Sequence, residues 1–549
     1  MRASIARTFG WFGRMRMPVL PPHRNATIPE ARRLSIVKGI KRLAVWVAWA
    51  LLGIAFIGCQ FYIGTFVQKA PTALPLFITA LIIVGMLTLA GRDKRWQVLL
   101  LTSALTLMTG QAGLYFGSWG ASTGRLEFIA SILFTCFVLF DSMSTKRAVS
   151  VPTALIVLMF FYVGFVIASA AVQPSLNDPK APLTAAQTAI MGISYLLAGF
   201  FYFDRWEKIR SFLRFFLGFG VFFALWATVE YLFPTQFYPL FLKAVPSFTM
   251  QVQIALSEHR VFGVFHNPAN FATFLNMFIP LATYCVIFNK GAKRAWSIGM
   301  VLLLLASVFF TGTRSAFLAA FIGFTVFPRL MGNKKLANAM LLGVIMVAVT
   351  VKLAGPIIAT ILPDQNLISR LTDTRNRYST LTETRVKAWK DALSTWDQHK
   401  LLGVGVGQYQ SERMKSASRE TRSVSSPYGA AMNALVDTGA LGGGTLILLW
   451  IFSFGYGLRS LHNTPSGSRR GLVAALLTVT IVIHLSGLSE VGYGLSRISY
   501  FYWLCTGLLL KAQYVSRDEL QPAQDSSAVQ VSGFKSSRPK PSSSWNRAS

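Results

Sequence analysis

Apolar stretches of about 18–25 residues recur along most of this 549-residue chain, each long enough to cross a roughly 30 Å hydrocarbon core. A segment surrounded by lipid must satisfy its own backbone hydrogen bonds, so such stretches fold as helices. The class is therefore an all-α polytopic membrane protein of about 12–14 transmembrane helices. About forty mostly basic and polar residues precede the first stretch, and no small-residue cleavage site follows it, so a cleavable signal is not expected. Cys59, Cys136, Cys285 and Cys505 lie in apolar stretches without paired spacing and read as small core residues.

The formal net charge of +32 raises the question of nucleic acid, and its distribution answers it. Short loops alternate between rich and poor in Lys and Arg, as the positive-inside rule requires. The rich set comprises the tail to Arg42, "GRDKRW", "TKR", "DRWEKIR", "NKGAKR", "PRLMGNKK", "RSLHNTPSGSRR" and the segment after Lys511. Topology and attraction to anionic lipid account for this charge, and no nucleic acid partner is needed. The alternation predicts both termini inside and spans near 43–66, 72–90, 97–117, 125–140, 150–172, 185–203, 211–233, 263–288, 295–311, 313–328, 336–355, 430–458, 471–488 and 497–511. The expected layout is a basic cytoplasmic tail (1–42), a first membrane part (43–355), a large outer loop (356–429), a last membrane part (430–511) and a Ser- and Pro-rich disordered tail (512–549).

Two outer segments stand out. One runs from Pro234 to Phe262. The other, Pro356 to Gly429, is far longer than an ordinary connection and carries aromatic residues at roughly helical spacing, so ordered helices are expected in it. Its basic excess runs against the positive-inside bias, which suits an anionic ligand. Arg314 poses a separate question, because no other charge interrupts Ala295 to Pro328. Those 34 residues make about 51 Å of helix, too long for one ordinary span and barely enough for two. Thr311-Gly312-Thr313 supplies a turn and an N-cap candidate, so a tight hairpin is predicted with Arg314 in the first turn of its second helix. Free N–H groups beside a guanidinium make an anion site; a snorkelling arginine is the structural alternative.

Three stretches, in this order, resemble the O-antigen ligase and Wzy polymerase superfamily. "HRVFGVFHNPANFATFLNMFIPLA" (259–282) is similar to its Arg-x-x-Gly and Asn-Pro segment. "FFTGTRSAFLAAFIGF" resembles its Thr-x-Ser/Thr-Arg-Ser/Gly element. "TRVKAWKDALSTWDQHKLLGVGVGQY" (384–409) with "NALVDTGALGG" (433–443) resembles its long outer loop and following glycine-bearing helix. The resemblance covers about residues 185–510. It implies a C-type glycosyltransferase architecture, a large periplasmic helical loop, and glycan transfer from undecaprenyl diphosphate at the periplasmic face of the inner membrane. It implies no metal and no cofactor. The partners it implies are the undecaprenyl-diphosphate-linked glycan, membrane lipid and other polysaccharide-assembly proteins.

Carried over position by position, the resemblance makes Arg260, Arg314 and Arg385 the phosphate-facing set; a structural ion pair is the alternative for each. His266 and Glu258 are further catalytic candidates, and Asn267, Asn270, Tyr428 and Arg497 substrate-binding ones. His399 reads as a loop-packing residue, and His484 and Glu490 as a potential pair. One departure matters. Tyr428-Gly429 stands where ligases of the family carry His-Asn. Tyrosine, with a reference pKa near 10, is a poor general base, so the resemblance favours a polymerase of lipid-linked repeats over a ligase. A transporter of an anionic solute or lipid is the rival from another class, but the predicted spans are nearly free of central charge and no internal repeat is evident. No Gly-x-Ser-x-Gly motif supports hydrolase chemistry.

Overall fold

The computed structural model describes residues 152–172, 181–238, 249–361 apart from 264 and 266, 377–409 apart from 407, 429–488 and 496–518. All belong to one of the two units into which the chain divides, Thr72–Ser549. They form α1 (Thr153–Val172), α2 (Ala181–Tyr202), α3 (Trp206–Leu232), α4 (Thr249–Glu258), α5 (Pro268–Asn276), α6 (Phe278–Phe288), α7 (Ala292–Phe310), α8 (Arg314–Leu330), α9 (Lys334–Ile361), α10 (Arg377–Gln398), α11 (Ala430–Asn463), α12 (Ser468–Gly487) and α13 (Ser496–Asp518). No strand occurs among the described residues. The protein is an all-α, multi-pass membrane protein: five described helical stretches, Trp206–Leu232, Pro268–Phe288, Ala292–Phe310, Ala430–Asn463 and Ser468–Gly487, are long and apolar enough to cross a bilayer. The spans expected at 43–140, and both tails, lie outside the described residues.

Nine expected spans from 150–172 onward each coincide with a helix, usually within a few residues at either end. The expected span 263–288 is instead divided at Met277 into α5 and α6, Met277 N–H turning back to the Phe274 carbonyl at 3.2 Å. Pro280 is the physical reason: it has no N–H to offer the carbonyl four residues earlier, at Asn276. The predicted hairpin is present, with α7 and α8 joined by Thr311-Gly312-Thr313 and Gly312 at φ 62°. Its second arm is only 17 residues, about 25 Å, and carries Arg314 and Arg329 near its two ends.

Helix pairs close through small residues. α2 and α13 meet where a Cβ on Gly199 would lie 2.6 Å from the Leu504 carbonyl oxygen, and Gly507 is hemmed in by the Leu196 carbonyl. Without a hydrophobic force between helices in lipid, this close backbone approach is what gives van der Waals contact. Around it, Phe216, Phe223, Phe274, Phe278 and Phe501 pack ring on ring with centroids 4.5–6.2 Å apart. This aromatic core braces α3, α5 and α6 together, one end of which carries the site described next.

Candidate functional site

The organising residue was not among those singled out from the sequence. Glu230, in the last turn of α3, is 1% exposed. Its Oε1 accepts from the Tyr238 hydroxyl and the Phe262 N–H, both at 2.9 Å, and its Oε2 accepts from the Gly263 N–H at 3.0 Å. A carboxylate this deep is tolerated because several donors replace its water. Burial, and then the Glu230 carboxylate, hold the Tyr238 hydroxyl well above its ordinary pKa, so it stays protonated and donates. A signal existed: Glu230 is the one acid within the apolar run 211–233.

What Glu230 fixes is the loop bearing Arg260. The Tyr238 hydroxyl also reaches the Arg260 carbonyl at 3.3 Å, and Val261 N–H donates to the Phe310 carbonyl at 3.1 Å. Gly263, at φ 57°, lies with its Cα side against the Phe271 ring, where a Cβ would approach to 2.7 Å. Thus held, Arg260 spans to the hairpin: Nε donates to the Thr311 carbonyl at 2.8 Å and Nη2 to Thr313 Oγ1 at 3.3 Å. Nη1 pairs with Glu258 Oε2 at 3.2 Å, so the ion-pair alternative for Arg260 is realised. At least three of its five donors are spent on structure. His259, between the two, is exposed and sits at φ 48°, a left-handed conformation uncommon outside glycine.

Thr313 is the N-cap of α8 by backbone geometry, but its side chain makes no cap hydrogen bond. Its hydroxyl is diverted to Arg260 and to the Thr311 carbonyl. Arg314, half-buried, is therefore the first residue of a helix whose leading N–H groups receive no help from the cap. Asn276 ties this turn to the core, its Nδ2 donating to the Ala316 carbonyl at 2.7 Å. Asn267 caps α5 by accepting from Ala269 N–H at 2.9 Å, a structural task for a residue expected to bind substrate. Asn270, one turn on, is buried and its Oδ1 has no partner among the described residues. The structure thus brings Arg260, Glu258 and Arg314 to one hairpin turn, with Asn267 and Asn270 on the helix that follows the Arg260 loop.

The other candidates are placed less fully. His266 and Tyr428 lie outside the described residues. Arg385 is on α10 and Arg497 is the second residue of α13. His399 ends α10, where its N–H meets the Trp396 carbonyl and its carbonyl receives Gly403 N–H, both at 2.9 Å. His484 faces the Tyr502 hydroxyl at 3.2 Å and the Trp450 ring; Glu490, its expected partner, lies outside the described residues.

α10 and the loop that follows it dock on α11 through glycines. α10 turns Ala388, Ala392 and Thr395 inward, and Val404, Tyr409 and Val436 complete that small core. α11 breaks at Gly439, whose φ of 68° and ψ of −169° are not helical. The break lets Ala440 N–H reach the Lys400 carbonyl at 2.7 Å, while Val404 and Gly405 N–H reach the Val436 and Asp437 carbonyls at 2.9 and 3.1 Å. A Cβ on Gly439 would collide with the Leu401 carbonyl, and one on Gly403 with that of Val436. Gly403 and Gly405 of "LLGVGVGQY" and Gly439 of "DTGALGG" therefore form one interlocked backbone joint. Gly439→Ala, combining a left-handed φ with that collision, should lower stability by more than about 2 kcal/mol. Thermal unfolding of purified protein checks this; an unchanged midpoint would remove the joint from the account.

Residues 299–451 match a family model described as O-antigen ligase. The matched span holds the hairpin turn with Arg314, α10 and the Gly439 joint, whereas the Arg260 loop precedes it. No curated protein matches the chain.

Proposed function

We propose that this chain, whose residues 299–451 match the O-antigen ligase family model, polymerises polysaccharide repeat units carried on undecaprenyl diphosphate. The family match supports a glycan-assembly activity of the Wzy or ligase type, on a lipid-linked glycan in a membrane, and the residues support the finer reading. The observation that carries it is the clamp from Arg260 to the hairpin turn, which sets a second guanidinium beside the uncapped helix end bearing Arg314. Two guanidinium charges at a helix N-terminus suit a diphosphate.

In the reaction, an acceptor hydroxyl attacks the anomeric carbon, the new C–O bond forms, and the bond to the diphosphate breaks. The diphosphate departs with the electron pair, and Arg314, Arg260 and Arg385 stabilise its growing charge. Glu258 orients Arg260; His266 takes the hydroxyl proton. The alternation of basic and non-basic loops supports a site at the periplasmic face of an inner membrane, with both termini on its cytoplasmic side. Tyr428-Gly429, in place of His-Asn, supports polymerase over ligase, while the description of the matched family keeps ligation to lipid A–core as the second reading.

Gels of surface glycans and of lipid-linked intermediates from a strain lacking the protein separate the two. Single repeat units, with long chains gone from both pools, are expected of a polymerase. Long chains stranded on the carrier would mean a ligase, and two unchanged pools would return the transporter reading.

A further inference from the structure

The end of the helices that bears the basic loops has a groove of its own. A cavity of about 900 Å³ opens between the start of α3, the end of α6 and the start of α7. Its lining is divided. Arg210, Arg214 and Lys293 supply three cations, and Leu217, Val221, Trp296 and Met300 supply apolar walls. Among the described residues none of the three cations makes an ion pair; nearby Asp204 is taken by Lys208 at 2.8 Å. Arg210 and Arg214 are one turn apart on α3, an arrangement in which like charges repel. Arg214 lies eight residues into the helix, about 12 Å along its axis from Trp206. Gly291 precedes α7 without a side-chain cap, and Ala292 and Lys293 in the first turn of α7 line the cavity.

A lone ion would need only the cationic end. The groove continues past it along Leu217 and Gly218, and a Cβ added at Gly218 would meet nothing within 4 Å, so this path is open. Trp296, 68% exposed, stands at its edge where the amphipathic ring of an interfacial tryptophan sits. We propose that this groove binds an anionic phospholipid, its phosphate held by Arg210, Arg214 and Lys293 and an acyl chain lying along Leu217, Gly218 and Met300. The site is distinct from the Arg260–Arg314 hairpin and needs no assumption about the chemistry there. It also gives the positive charge of these loops a specific receptor beyond general attraction to a membrane surface.

Native mass spectrometry of the purified full chain, titrated with dioleoylphosphatidylglycerol or dioleoylphosphatidylcholine, tests it. The wild type should prefer the phosphatidylglycerol. Arg210→Gln/Arg214→Gln/Lys293→Gln should weaken that binding roughly a hundredfold, at about fivefold per basic residue. Gly218→Leu, which adds bulk only to the open path, should weaken it without changing charge. It decides the matter should the triple variant fail to fold. Lys334→Gln/Lys335→Gln, which removes two positive charges at other basic-loop positions, should leave it intact. Equal binding of the two lipids, a triple variant that binds like wild type, or loss in the Lys334/Lys335 variant equal to that in the triple would each overturn the proposal. So would complete displacement of the lipid by millimolar inorganic phosphate, which would make the site one for a free anion.

Discussion

Arg314→Lys is expected to lower glycan transfer about a hundredfold while leaving insertion and expression at wild-type levels. The figure is that for removing one preorganised donor from a developing oxyanion. Arg314 is the first residue of α8, where the helix dipole makes a cation unfavourable by about 0.3–1 kcal/mol. A snorkelling side chain has no reason to accept that penalty at this one position. An anion held jointly by the guanidinium and the helix N–H groups reverses it, because both then act on the same negative charge. Lysine keeps the charge, the length and the ability to snorkel, but loses the planar fork that meets two phosphate oxygens at once. The comparison to make is transfer of lipid-linked repeats by purified wild type and variant, with expression measured alongside. Wild-type rates in the lysine variant would leave Arg314 as a boundary arginine and remove the hairpin from the mechanism.

The hairpin was legible because its constraint is arithmetic: 34 apolar residues between two basic loops must reverse once. The division at Met277 was less so, since hydropathy runs straight through it and only Pro280 announces it. Of the site, Arg314 was visible as a charge out of place, and Arg260 through a stretch that resembles the family's Arg-x-x-Gly segment. Their connection was not. Hydrogen bonds from Arg260 to Thr311 and Thr313 join residues some fifty positions apart, and nothing local encodes them. The diversion of Thr313 from capping to bonding Arg260 shows the same limit: the sequence offers a cap residue, and tertiary contact decides what its hydroxyl does. Glu230 was overlooked for a different reason. A single acid near the end of an apolar run looks like a boundary residue until the loop that folds over it is seen.

Glu230→Ala should destabilise the protein by at least about 2 kcal/mol, because it leaves the Phe262 and Gly263 N–H groups buried without this acceptor, each at about 1–3 kcal/mol, and leaves the Tyr238 hydroxyl only its longer bond to the Arg260 carbonyl. Against a total stability of about 5–15 kcal/mol, that is a large fraction. Glu230→Gln keeps one oxygen but turns an N–H donor toward one of the same donors, so a smaller loss is expected from it. The order wild type, Gln, Ala in thermal midpoint is the first reading. The second is local. If Glu230 holds the Arg260 loop, hydrogen exchange at Phe262 and Gly263 should accelerate in both variants, while amides in the middle of α12, remote from the loop, change only as much as global stability requires. Transfer activity of the Gln variant should fall further than its stability does, because a loosened loop lets Arg260 leave Thr311 and Thr313 and uncouples it from Arg314. Unchanged exchange at Phe262 and Gly263 in the Ala variant would mean the loop is held by its aromatic contacts alone, with Tyr238 stacked on Phe262 at 5.8 Å and Phe265 on Phe271 at 5.8 Å, and Glu230 would then be a buried acid without this task.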